Sequence, residues 1–117
     1  MSTLQSIDFL KKKDAAVTAT KVLVKSGAVD IRGITVYNPG MATAFLQLFD
    51  AAQTADVTLG STAFDEMFMI PAGSQIVIEP ENKIYNSFAL GLVYAATDTA
   101  TGSNAPAVAL NMVLKYR

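Results

Sequence analysis

The side chains with the clearest chemical potential in this sequence are carboxylates in close pairs, Asp65 with Glu66 and Glu79 with Glu81. Two carboxylates about 5–9 Å apart can form the whole catalytic set of a glycosidase. Asp65 and Glu66 are neighbours in a strand-like stretch, so they point to opposite faces and cannot share a proton. Glu79 and Glu81 flank Pro80 near a turn, which gives no strand face to hold them together. Asp56, Asp65 and Asp98 are of the ligand type that calcium takes, but no compact acidic loop joins them. Ser and Thr are abundant, yet the chain has no histidine to activate them. With no cysteine either, a disulfide framework and a thiolate metal site are both excluded. Gly102-Ser103 is not a phosphate loop. Lys11, Lys12 and Lys13 lack an aromatic platform, and a net charge of −1 gives no global attraction to nucleic acid. Tyr37, Tyr85 and Tyr94 have the chemistry to line a sugar groove, and are equally at home in strands. The expectation is a protein that is not an enzyme and holds no cofactor and no metal.

The elements that would position these residues read as strands. The closing stretch, residues 84–117, holds a nearly apolar run (87–96), a polar Thr/Ser/Gly/Asn/Pro loop (97–106) and an alternating run with Val108, Leu110, Met112 and Leu114 on one face. Earlier strand candidates are residues 16–26, 29–38, 43–50, 56–59, 64–70 and 75–79. Asn38-Pro39-Gly40 and Pro71-Ala72-Gly73 mark turns. Asp30 and Arg32, two apart, are expected as an exposed ion pair. About eight strands with turn signals every 8–12 residues predict an all-β, single-domain antiparallel β-sandwich of the jelly-roll type. An N-terminal arm (1–15) precedes the sandwich domain (16–117).

The chain has 117 residues, of which 51% are hydrophobic and only 16% charged. The charged share is well below the roughly 25% of a typical soluble domain, which predicts that something covers part of the surface, self-association being the simplest candidate. The N-terminal apolar piece is short and interrupted, and its lysines follow it, unlike a signal peptide. The longest apolar run is far short of the ~20 residues a membrane helix needs, so no membrane partner is expected. Residues 43–50 have an aliphatic face (Ala44, Leu46, Leu48) and an aromatic one (Phe45, Gln47, Phe49). Leu4, Ile7, Phe9 and Leu10 in the arm, with Phe45 and Phe49, are the expected interface. Removing residues 1–13 is expected to leave the sandwich folded and weaken binding.

The stretch ITVYNPGMATAFLQLFDA (34–51) resembles small virion proteins of tailed bacteriophages, in which a VYNP-like turn leads into a YLQLFDA-type strand. The resemblance continues at MIPAGS (69–74) and through GLVYAATDTATGSNAPAVALNMVLKYR (91–117). It implies a structural virion protein of the jelly-roll capsid cement, or decoration, type. Such a protein would sit on the capsid exterior, bind the major capsid protein and self-associate as a homotrimer. Residues 1–15 match nothing in that pattern. A tail, baseplate or fibre-attachment subunit is the alternative within the same class, and a carbohydrate-binding module the alternative outside it.

Overall fold

The computed structural model describes residues 9–80 and 83–117. Nine strands and one turn of 3₁₀ helix follow in order: β1 (Leu10–Val17), β2 (Val22–Ser26), β3 (Val29–Tyr37), β4 (Ala44–Asp50), the helix (Thr54–Asp56), β5 (Glu66–Ile70), β6 (Gln75–Ile78), β7 (Asn86–Phe88), β8 (Gly91–Thr97) and β9 (Leu110–Tyr116). One sheet has the order β1-β9-β3-β6, with short β7 also paired to β3. The other has the order β2-β8-β4-β5. Every pairing is antiparallel. The chain is a β-sandwich, and with β7 set aside its strand order is that of an eight-stranded jelly roll.

The core follows from period-two alternation. Leu110, Met112 and Leu114 of β9, Ala44, Leu46 and Leu48 of β4, and Leu92, Tyr94 and Ala96 of β8 all face inward and are buried. In β3 the inward set is Val29, Ile31, Ile34 and Val36; the step from odd to even numbers coincides with a register shift between Ile31 and Gly33. All seven residues of β8 are buried, because the connection after β4 lies over the outside of this sheet. There Phe49, Ala51, Val57 and Val93 form a second small core, with Leu59 and Phe64 against it.

Two phenols tie the sheets together. The Tyr94 hydroxyl of β8 donates to Asp14 of β1 at 2.6 Å. The Tyr85 hydroxyl, just before β7, donates to Glu66 of β5. Burial, reinforced by the carboxylate each phenol faces, pushes both pKa values upward, to about 12 for Tyr85 and further for Tyr94.

Five local expectations need correction. The strand predicted over 16–26 is two strands: the chain crosses between sheets at Thr18, whose carbonyl accepts from Ala96 N. Residues 56–59 are not a strand, since the 3₁₀ turn and the Thr58 carbonyl, which accepts from Ser61 N and Thr62 N, hold them in turns. The apolar run 87–96 breaks at Ala89-Leu90, where the Asp50 carboxylate accepts from both backbone amides. The arm ends earlier than residue 15, because Leu10 to Asp14 are already laddered to β9. Asp30 and Arg32 do not pair among the described residues. Asp30 accepts from Ser87 Oγ at 2.8 Å, and Arg32 Nε is buried without an acceptor.

Candidate docking surface

Three of the four paired carboxylates are engaged in holding the fold, and the fourth, Glu81, lies outside the described residues. Asp65 accepts from Asp50 N, Glu66 from Tyr85 Oη and Asn86 Nδ2, and Glu79 pairs with Lys115. Among the described residues no three His, Cys, Asp or Glu side chains are placed to hold a metal ion. The three tyrosines do not form a common sugar platform. Tyr94 is fully buried, Tyr85 is bonded to Glu66, and Tyr37 faces solvent at the end of β3.

The jelly-roll connectivity sorts the loops onto two ends. Ala44 pairs with Ile70, Phe45 with Thr97, Tyr37 with both Gln75 and Asn111, and Val17 with Leu110. The connections after β1 (18–21), β3 (38–43), β5 (71–74) and β8 (98–109) therefore gather at one end. Of their residues only Lys21 and Asp98 are charged, and the Lys21 ammonium is held by the Val57 carbonyl. At the other end lie Lys25, Asp30, Asp50 and Arg117, with Ser26 beside Gly91 and Arg117 bonded through its backbone to Asp30. The sandwich is thus polar in its charge distribution, with one end nearly uncharged.

Asn38 builds the uncharged end. Its side chain is 1% exposed. Nδ2 donates to the carbonyls of Ala42 at 2.8 Å and Ile70 at 2.9 Å, while Oδ1 accepts from Gly40 N at 2.9 Å. Its own amide donates to Ser74 O. One residue thereby fixes the β3–β4 loop to itself and to the β5–β6 turn. Gly40 lets the β8–β9 loop close against it: a Cβ there would lie 3.1 Å from that of Val108. Between these two loops is a cleft of about 340 Å³ whose walls include Met41, Thr43, Pro106 and Val108, with Asp98 as its one charged residue. Met41 stands beside it 97% exposed, and Val108 is also exposed. An unbranched, polarisable thioether on a rigid loop suits adaptable apolar docking.

No family model, curated protein or solved structure matches this chain.

The expected interface residues do not make one patch. Leu4 and Ile7 lie outside the described residues. Phe9 and Leu10 are exposed at the start of β1, with the Lys115 ammonium 5.6 Å from the Phe9 ring and Leu10 opposite Tyr116. That is the charged end. Phe45, half-buried opposite exposed Met69, is toward the uncharged end. Phe49 is a correction: it is 1% exposed, in the chain's own second core beneath the loop after β4, and offers nothing to a partner. The truncation of residues 1–13 also changes meaning, since it would delete the first half of β1. Sequence reasoning missed Asn38, Met41 and Val108 as surface builders. The Asn-Pro-Gly triplet signalled a turn, but nothing local indicates a bond to a carbonyl 32 residues away.

Proposed function

We propose that this chain is a structural protein of a tailed-phage particle, a capsid cement protein that docks its uncharged end on the outside of the shell. In that role it stabilises contacts between major capsid proteins and assembles as a homotrimer. The observation that carries the reading is the Asn38-knitted, nearly charge-free end with Met41 at its tip. The segments that carry the sequence resemblance, 34–51, 69–74 and 91–117, contain three of the four loops that form this end.

The physics of a cement protein fits such a surface. Many copies bind close together, so like charges at the contact would repel, whereas a nearly uncharged tip buries area while desolvating few ions. Pre-ordered loops lose little conformational entropy on docking. The charge at the opposite end stays in water and maintains solubility.

The deciding experiment is the copy number of the chain in purified particles, by quantitative mass spectrometry against the major shell protein. Copies in the hundreds at a fixed ratio are the expected result. A dozen copies would move the protein to the tail or baseplate, and absence from particles would overturn the virion reading. Native mass spectrometry of the free protein tests the trimer.

A further inference from the structure

The two sheets guard their edges differently. In the β1-β9-β3-β6 sheet, the β1 edge carries Lys11, Lys12 and Lys13. The opposite edge is shared by β6, four residues long and followed by Glu79-Pro80, and by three-residue β7. Charge, shortness and proline are devices that stop one sheet edge from adding to another. In the β2-β8-β4-β5 sheet, residues 22–24 of β2 and 67–70 of β5 contain neither charge nor proline; Lys25, Glu66 and Pro71 lie just outside them. Among the described residues no strand pairs with the outer side of either.

These two open edges match each other. Every pairing in their sheet is antiparallel, so β2 and β5, first and last in the order, run in opposite directions. A β5 laid beside the β2 of a second copy in the same orientation therefore meets it antiparallel, as strands do within the sheet. Setting Met69 opposite Leu23 puts Ile70 opposite Val22 and Phe68 opposite Val24. Leu23 and Met69 both belong to the outer face and are 37% and 57% exposed. Val22, Val24 and Phe68 are half-buried against the main core, and Ile70 is inside it. Side-chain alternation thus stays in phase across the joint, with apolar against apolar at each position.

We propose that β5 of one copy adds to β2 of the next, and that three copies joined in this way close a head-to-tail ring. This joint rests on the homotrimer of the functional reading and not on the phage shell. Unlike edges keep all copies in one orientation, so the three nearly uncharged ends lie on the same side. Pairing of β5 with a second β5 would be a two-fold joint, which inverts one copy and turns its uncharged end away. Ladder hydrogen bonds hold the added strand, and contact between Leu23 and Met69 covers apolar side chains that the single chain leaves in water.

The chain has no cysteine, so engineered thiols report one contact at a time. Directly opposed residues of a ladder hold their Cβ atoms about 4.5–5.5 Å apart, close to the reach of a disulfide. The double variant Leu23→Cys/Met69→Cys, with both changes at exposed positions, should give under mild oxidation a covalent product that stops at three chains on a non-reducing gel. Each single variant should stay at one chain. Met69→Lys should leave the circular dichroism spectrum unchanged and convert the trimer seen by native mass spectrometry to monomer. Covalent dimers of Met69→Cys alone would reveal the two-fold joint, and products longer than three chains an open filament; either overturns the ring. A trimer that neither cross-links at these positions nor responds to Met69→Lys overturns the edge pairing and keeps the homotrimer, whereas a parent chain that stays monomeric removes both.

Discussion

Replacing Asn38 with alanine should damage this protein out of proportion to the atoms removed. The substitution deletes three hydrogen bonds, two of them fully buried. The Ile70 carbonyl and the Gly40 amide then have no partner, and each buried group left unpaired costs roughly 1–3 kcal/mol. The Ala42 carbonyl is only partly buried, so water recovers most of its bond. The sum is about 2–6 kcal/mol, against a total of about 5–15 kcal/mol for a domain. For a chain of 117 residues that lowers the melting temperature by roughly 8–24 °C. Thermal and urea unfolding followed by circular dichroism measure it, with the folded baseline checked at 25 °C. Asn38→Asp is the sharper control: it keeps an acceptor for Gly40 but turns a second carboxylate oxygen toward two carbonyls, so it should cost at least as much. A loss below about 1 kcal/mol in the alanine variant, or an aspartate variant as stable as the parent, would refute the argument that this side chain holds the end together.

The other expectations are separate in mechanism. Met41→Asp, at a side chain with almost no contacts in the free protein, should leave unfolding unchanged within about 0.5 kcal/mol yet reduce retention on particles in a co-sedimentation assay; unchanged retention would remove this end as the docking surface. Gly91→Ala should destabilise strongly, by roughly 2–4 kcal/mol, because the backbone is at φ +152° and the new methyl would lie 2.4 Å from the Ala51 carbonyl oxygen; a urea midpoint near the parent's would contradict it. Alkaline stability follows from the two phenols. Their folded pKa values are raised above the ordinary value of 10.0, so their contribution is complete below about pH 10 and is lost as pH rises through about 12 and beyond. Unfolding free energy measured from pH 8 upward should fall past pH 10, and fall less steeply in the Tyr85→Phe/Tyr94→Phe variant.

Several features of the fold were legible in the sequence because they are local. Alternation in residues 108–114 and 43–50 places Leu110, Met112, Leu114, Ala44, Leu46 and Leu48 in the core, where the structure has them, while Val108, expected on the same face, lies exposed in the loop before β9. Pro-Gly turns at 38–40 and 71–73 separate the strands as expected. The missing histidine and cysteine narrowed the chemistry before any coordinate was known. Strand breaks were less legible. The division at Ala89-Leu90 depends on the Asp50 carboxylate some 40 residues earlier, and no local propensity encodes it.

The sequence by itself determined a β-sandwich of weak charge, since side-chain period and composition are properties of neighbouring residues. Which surfaces remain open was decided only by tertiary structure. Phe45 and Phe49 share a strand face and look equivalent in the sequence. The loop after β4 closes over Phe49 and leaves Phe45 half-open, because Val57, Leu59 and Phe64 return to pack there. The docking end has the same origin. Four loops far apart in the chain carry few charges each, and only the crossing of strands between sheets brings them together as one nearly uncharged surface.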